Sequence, residues 1–166
     1  MTQRYVEGHQ IVPAIVPVNL ATAANAGDWV SMKYYDRCAV CVFCAAGAAG
    51  EPPEIKLQQA KAVAGTSAKD LLFTRIWKKV GALSDTGEYT LVEQAAATSF
   101  TDTGEGDHDA LYNIEIESAM LDADNDFDCV QVSIADVGAT AHLGCAWYDL
   151  YNAKHQQAIL PSAIAD

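Results

Sequence analysis

Alternating hydrophobic and polar residues predict β-strands along most of the chain. In Tyr112–Ser118, Ile114 and Ile116 alternate with Glu115 and Glu117, which is the period of two expected of a strand with one buried face. Other runs rich in aromatic and β-branched residues also predict strands: Trp29–Tyr35, Cys38–Cys44, Ile55–Gln58, Leu71–Val80, Glu88–Gln94, Asp128–Ile134 and His142–Tyr151. We therefore expect an all-β fold, an antiparallel β-sandwich or jelly roll with an extended N-terminal arm.

The connections between these runs refine the expected fold. Asp36-Arg37 separates two strand-like runs by a hairpin length, and Asp85-Thr86-Gly87 predicts a turn. Only the Ala-rich segment Gln58–Asp70 favours a helix, and Gly65-Thr66-Ser67 limits it to a short turn of helix. Because helical patterns are missing between the strands, a parallel α/β fold is excluded.

An apolar segment near the N-terminus differs from the other strand-like runs. Residues 10–20 contain Pro13 and Pro17, and each proline removes a backbone donor, so the segment is an edge strand or an extended arm. We therefore divide the chain into residues 1–20, an N-terminal arm or edge strand, and residues 21–166, a single β-sandwich domain. We expect the apolar side chains of this segment to pack either along their own domain or on a neighbouring subunit. The same two alternatives apply to the apolar C-terminal segment. The candidate partner contacts are Ile11, Val12, Pro13, Ile15, Val16, Pro17, Leu160, Pro161 and Ile164.

Composition and charge narrow the class of protein. The 166 residues suffice for one core, and a mean hydropathy of +0.03 with 51% hydrophobic residues argues against disorder and against a membrane-spanning helix. The net charge of −12 excludes a nucleic-acid binder that works through a general basic surface. Residues 1–101 are neutral, whereas residues 102–166 hold thirteen acids against Lys154 alone. Since apolar residues are mixed with these acids, we expect a folded acidic face rather than a disordered tail.

The five cysteines indicate a reducing compartment, because an odd number of cysteines in a chain of this size does not suggest a disulfide framework. The N-terminus lacks signal-peptide architecture, so we expect synthesis in a cytoplasm. Cys38-x-x-Cys41-x-x-Cys44 has an even spacing, but on a strand Cys38 and Cys44 share one face and Cys41 points to the other. Core packing is therefore favoured over a metal site.

Acidic loops are the other candidates for metal binding. Asp122, Asp124, Asp126 and Asp128 alternate as in the first half of a calcium loop, but Phe127 replaces the required glycine and Ser133 replaces the bidentate glutamate. A solvated turn is favoured, and weak calcium binding stays open. The loop Thr101–Asp109, which carries His108, is predicted to be exposed to solvent.

The sequence contains no motif that favours catalysis. A Gly-x-Ser-x-Gly elbow, a Ser-x-x-Lys pair, a P-loop and a dinucleotide fingerprint are all missing, and the four histidines are scattered. We therefore expect a protein that is not an enzyme and needs no cofactor.

Seven short segments carry a family resemblance. They are Leu57–Ala60, Val63–Thr66, Phe73–Ile76, Phe127–Val130, Ser133–Gly138, Leu143-Gly144 and Pro161–Asp166. Over roughly residues 18–166 the chain resembles a group of small tailed-bacteriophage proteins. The resemblance implies a virion structural protein, a head decoration or cement protein made in the host cytoplasm and attached to the capsid surface. It also implies the major capsid protein as partner and a homotrimer or homodimer. From charge and hydropathy we expect neither a nucleic acid nor a membrane as partner.

Two alternatives stay open at this point. The first is a tail or connector component, which the same resemblance permits. The second is a carbohydrate-binding β-sandwich module with Trp29, Trp77 or Trp147 as a stacking platform and calcium at Asp122–Asp128, although each tryptophan is more typical of a β-sandwich core. For the decoration protein, we expect the neutral residues 1–101 to contact the shell and the acidic loops to face solvent.

Overall fold

The computed structural model describes residues 4–81, 87–103, 106–155 and 159–165. A short helix α1 (Tyr5–Gly8) and two 3-10 helices (Ser118–Met120 and Ala123–Asn125) accompany the strands. None of the helices in the described ranges has the length and apolar character needed to cross a membrane. The strands are β1 His9–Asn19, β2 Asn25–Ala26, β3 Val30–Ser31, β4 Tyr35–Cys44, β5 Glu54–Ala60, β6 Lys69–Asp70, β7 Phe73–Val80, β8 Thr90–Ala97, β9 Ser99–Thr101, β10 Ala110–Glu117, β11 Cys129–Ile134 and β12 Leu143–Ala153.

Two antiparallel sheets contain these strands, which confirms the predicted all-β sandwich. The first sheet has the order β1-β12-β4-β10-β7-β8. The second sheet has the order β2-β11-β5-β6, with β3 also paired to β11 and β9 to β5. Most neighbouring strands are therefore distant in sequence, so loops and long connections, rather than hairpins alone, set the topology.

The core lies between the inner faces of the two sheets. Ile114 and Ile116 of β10 are fully buried, as the alternation in the sequence predicts, and so are Leu57 of β5 and Val132 of β11. Tyr148 of β12 joins the sheets directly, since its hydroxyl accepts a hydrogen bond from the Val132 N–H at 2.8 Å and donates one to the Asp28 carbonyl at 2.8 Å. The Tyr148 hydroxyl thus has both a donor and an acceptor as hydrogen-bond partners, although most of the core around it is apolar.

The N-terminal segment is an edge strand of the first sheet. β1 pairs with β12 from His9 to Asn19, and its register shifts between Pro13 and Ile15. Because of this bulge, Ala14 and Ile15 are both buried. Val12 and Ile15, expected as candidate partner contacts, are instead core residues of this domain. Ile11, Pro13, Val16 and Pro17 face solvent.

The C-terminal segment also packs on its own domain. The Tyr35 hydroxyl donates a hydrogen bond to the Pro161 carbonyl at 2.6 Å, and the Ser31 N–H donates one to the Ala163 carbonyl at 2.7 Å. Leu160 packs partly buried against the core, and Pro161 is half-buried. Of the expected contact residues in this segment, only Ile164 is well exposed, at 62%.

The prediction of a hairpin at Asp36-Arg37 is wrong. Both residues lie inside β4, which belongs to the first sheet, whereas Val30–Ser31 pairs with β11 in the second sheet. A turn closed by the Tyr35 N–H and the Met32 carbonyl at 3.0 Å carries the chain from one layer to the other. Two runs that are adjacent in the sequence and that both favour strands therefore belong to different sheets. Periodicity alone does not predict to which sheet a strand belongs.

The helix considered within Gln58–Asp70 does not form. Residues 58–60 complete β5, residues 61–68 form turns, and Gly65 takes a left-handed conformation with φ of 73°. A Cβ at this position would lie 2.8 Å from the Trp29 indole nitrogen, so the turn needs glycine for space as well. The predicted turn at Asp85-Thr86 lies outside the described residues.

Candidate functional site

The outer face of the first sheet, turned away from the second sheet, carries aromatic side chains. The strand register places one row of residues across all six strands: Pro13, Trp147, Cys41, Asn113, Trp77 and Leu91. Trp77 is 41% exposed, so the expectation that tryptophan anchors the core is wrong at this position. The largest fully buried side chains are instead Tyr35, Tyr112 and Tyr148.

One end of this face forms an apolar patch. We define the patch by Pro13 and Val16 of β1, Phe43 of β4, and Leu143 and Trp147 of β12. Val16 is 70% exposed and Leu143 is 60% exposed, while Phe43 and Trp147 are half-buried. Contiguous exposed apolar surface of this kind is typical of interaction sites in soluble proteins.

The other end of the same face contains an aromatic cleft of about 380 Å³. Its lining residues are Ala39, Trp77, Tyr89, Asn113, Glu115 and Tyr151. Ala39 pairs with Glu115 on one side and with Asp149 on the other, and its small side chain lets the cleft form between larger neighbours. Tyr89 is 46% exposed, and the Lys79 ammonium lies 5.3 Å from the centre of its ring.

Polar groups sit between the aromatic walls of the cleft. The Tyr151 hydroxyl donates a hydrogen bond to Glu115, and Arg37 lies 3.6 Å from Glu115 and 2.7 Å from Glu117. The side-chain amide of Asn113 forms no hydrogen bond with any residue in the described ranges. The cleft therefore offers a free amide and a carboxylate next to exposed aromatic rings.

A stack of rings positions Tyr151 at the wall of the cleft. The His9 ring lies between Tyr5 and Tyr151, with centroid distances of 4.2 Å and 5.4 Å. His9 Nδ1 lies 2.9 Å from an Asp149 carboxylate oxygen, and the Tyr5 hydroxyl donates a hydrogen bond to the same carboxylate. This hydrogen bond, together with burial, raises the pKa of Tyr5 to about 12. The wall is thus held by a network that begins in α1 and crosses β1 and β12.

The cysteines of β4 have the alternation expected from the sequence. Cys38 and Cys44 face the core, and Cys41 lies on the outer face opposite Trp147 and Asn113. Burial raises the pKa of Cys41 to about 11, with Asp149 adding to the effect. Thiols with such a pKa are mostly protonated near neutral pH, so they behave as small apolar side chains.

The acidic run Asp122–Asp128 is split among different partners. The Asp122 carboxylate accepts hydrogen bonds from Lys69 and Asn125, which lower its pKa. Asp124 and Asp126 are exposed, and the Asp128 carboxylate accepts a hydrogen bond from the Cys129 thiol. Within the part of the chain that the structure describes, no group of three or more His, Cys, Asp or Glu side chains could hold a metal ion.

Several acids of the last 65 residues pair with cations of residues 1–101. Lys78 contacts both carboxylate oxygens of Asp102, at 2.8 and 2.9 Å, and the pair is largely buried. Arg37 pairs with Glu117 and Lys69 with Asp122, and the side chains of both pairs are more exposed to solvent. The structure describes the loop Thr101–Asp109 except for residues 104–105. In this loop His108 is exposed beside Asp107, as predicted.

Sequence reasoning named Trp77 and Trp147 but missed the residues that surround Trp77. Alternation predicted that Glu115 points outward, and the same rule applied to His142–Tyr151 places Tyr151 on the outer side. The joint position of Asn113, Trp77 and Tyr151 depends on the register between strands that are far apart in sequence. Trp29 is half-buried and packs by Gly65, away from the cleft.

Comparison with known proteins gives one similar fold. No protein-family model matches the chain, and no curated protein matches it. The structure is similar to the crystal structure of SPBc2 prophage-derived protein YomS, with 11% sequence identity and a TM-score of 0.48. The similarity covers 86% of this chain and 92% of that chain.

Proposed function

We propose that this chain is a bacteriophage virion structural protein, a capsid decoration protein that binds the major capsid protein through the apolar patch. The resemblance to small tailed-phage proteins supports the virion role. The observation that carries the attachment site is the exposure of Val16 and Leu143, at 70% and 60%, beside the half-buried Phe43 and Trp147. Burial of these side chains against a partner would stabilise a complex by roughly 25 cal/mol per Å² of apolar surface before the costs of association.

Side chains, rather than an added strand, would make this attachment. β1 is an edge strand and contributes Pro13 and Val16 to the patch, and Pro13 and Pro17 remove two backbone donors from this strand. An open edge with fewer donors is a poor template for a further strand. The exposed side chains of β1 and β12 stay available.

The proposal is tested by adding purified protein to phage heads that lack it. We expect co-sedimentation with the heads, hundreds of copies per head, and a higher melting temperature of the shell. A dozen copies or fewer would instead indicate the tail or connector role, and no binding would overturn the virion proposal. Light scattering of the free protein tests the homotrimer or homodimer, which stays a prediction.

Matched charge variants test the position of the interface. Leu143→Asp is expected to weaken head binding about tenfold or more, since a carboxylate would be buried at the contact. Ser133→Asp adds the same charge to the outer face of the second sheet, opposite Lys56, and is expected to bind as the parent does. Asp124→Lys, in the exposed acidic loop, is also expected to leave binding unchanged. Equal losses in Leu143→Asp and Ser133→Asp would exclude the apolar patch as the specific contact.

A further inference from the structure

We propose that the aromatic cleft binds a neutral saccharide, and that this site is separate from the apolar patch. The cleft lies on the outer face of the first sheet and is lined by three aromatic side chains, Trp77, Tyr89 and Tyr151. Its occupant is argued below from size, from hydrogen-bonding groups and from charge.

Size is the first argument for a saccharide. Small-molecule sites have volumes of about 300–1,000 Å³, and the cleft has about 380 Å³. A cleft of this size accommodates one or two pyranose rings. A single quaternary ammonium group is smaller and would leave much of the space unfilled.

The lining groups match the two kinds of surface on a pyranose. The C–H face of the ring is apolar and flat, so it can lie against the exposed rings of Trp77 and Tyr89. The hydroxyl groups at its edge need both donors and acceptors. The free amide of Asn113 provides both, and the Glu115 carboxylate accepts further hydrogen bonds.

Charge around the cleft favours a neutral sugar over an anionic one. Glu115, Glu117 and Asp149 lie on the strands that form its floor and wall. Two cations lie beside it: Arg37, which pairs with Glu115 and Glu117, and Lys79, whose ammonium lies 5.3 Å from the centre of the Tyr89 ring. The three carboxylates outnumber the two cations, and Arg37 is already paired with Glu115 and Glu117, so a uronic acid, a sialic acid or a phosphate group is disfavoured.

The cleft and the apolar patch can be occupied independently. Tyr151 of the cleft and Leu143 of the patch lie near opposite ends of β12, about 26 Å apart at roughly 3.3 Å per residue. Two other members of these sites, Asn113 and Trp147, lie closer together, in the same row with Cys41 between them. The ring stack of Tyr5, His9 and Tyr151 also fixes the wall in place without a partner. The saccharide site therefore does not depend on capsid attachment.

Calorimetric titration of the purified protein with three neutral oligosaccharides, maltohexaose, cellohexaose and chitohexaose, tests the proposal. We expect at least one of them to bind and to change the tryptophan fluorescence. Trigalacturonate and choline are titrated in parallel as an anionic sugar and a quaternary ammonium. Failure of all three neutral sugars to bind, or tighter binding of trigalacturonate or choline, would overturn the proposal.

Two tryptophans on the same sheet face provide a matched pair of variants. Trp77→Ala is expected to weaken saccharide binding about tenfold, because the stacking surface is lost. Trp147→Ala removes a tryptophan that lies outside the cleft and is expected to change binding less than about twofold. Equal losses in both variants would contradict the assigned position.

Two further variants separate binding from folding and from capsid attachment. Trp77→Phe keeps an aromatic ring and is expected to retain most of the affinity, whereas Asn113→Ala is expected to lose about fivefold as its hydrogen bonds disappear. Circular dichroism and thermal unfolding check that each variant is folded. Trp77→Ala should bind phage heads as the parent does, so a failure of the saccharide site and a failure of the capsid proposal give different results.

Discussion

The outer faces of the two sheets differ in character although both are built from alternating strands. The second sheet presents Lys56, Gln58, Gln131 and Ser133, the polar side expected of an antiparallel sheet that faces water. The first sheet presents Trp77, Trp147, Phe43 and Leu111. Since the core between the sheets already buries the inner residues of both, the aromatic face of the first sheet is not needed to complete that core. The difference supports the two binding sites proposed on this face.

The largest expected effect comes from contrasting a core residue with an aromatic residue of the outer face. Leu57→Ala, fully buried on β5, is expected to lower the free energy of unfolding by about 3 kcal/mol because it leaves a cavity. Trp77→Ala is expected to lower it by only about 1 kcal/mol, since the indole is 41% exposed. Urea unfolding followed by circular dichroism measures both. A loss in Trp77→Ala as large as that in Leu57→Ala would show that the aromatic face is structural.

An intermediate effect is expected from one substitution made on both faces of β12. Tyr148→Phe removes the hydroxyl that joins the sheets and leaves the Val132 N–H and the Asp28 carbonyl unpaired, so unfolding should require about 2 kcal/mol less. Tyr151→Phe removes a hydroxyl bonded to the exposed Glu115, with an expected loss of about 0.5 kcal/mol. The contrast between inner and outer faces would fail if the two variants had equal stability in urea.

The smallest expected effect concerns pH and lies at the end of the first sheet where β12 begins. His142 is buried against Gly47, and neither ring nitrogen has a hydrogen-bond partner among the described residues. Burial lowers the pKa of His142, while Glu51 partly opposes the shift. In the unfolded chain His142 takes up a proton near the usual histidine pKa of about 6.5, whereas in the folded protein it takes up that proton only at lower pH. The contribution of this group to stability is complete above that pH and is lost as the pH falls below it.

His142→Phe measures the size of this effect. The parent protein should lose thermal stability between about pH 7 and pH 5 more steeply than the variant, because phenylalanine does not titrate. The parent and the variant have the same carboxylates, so the contribution of these groups to the pH dependence is common to both curves. Parallel stability curves over this interval would show that His142 contributes nothing to the pH dependence.

The sequence by itself determined the fold class and the buried face of most strands. Period-two alternation is a local property, so it correctly placed Ile114 and Ile116 inside and Glu115 outside. Proline chemistry likewise restricted residues 10–20 to an edge, because a proline inside a sheet would break its hydrogen bonds. These inferences depend on backbone geometry and on the hydrophobic effect acting within a few residues.

Only the tertiary structure decided which strands became neighbours. The chain crosses between layers at residues 32–34, so the expected hairpin at Asp36-Arg37 is absent and β4 pairs with β10 and β12 instead. Those long-range pairings bring Asn113 beside Trp77 and place Ala39 next to Glu115, which creates the cleft. Other tertiary contacts bring Lys78 to Asp102 and Lys69 to Asp122, so cations of residues 1–101 pair with acids of residues 102–166. Register between distant strands depends on packing of the whole core, and no local pattern encodes it.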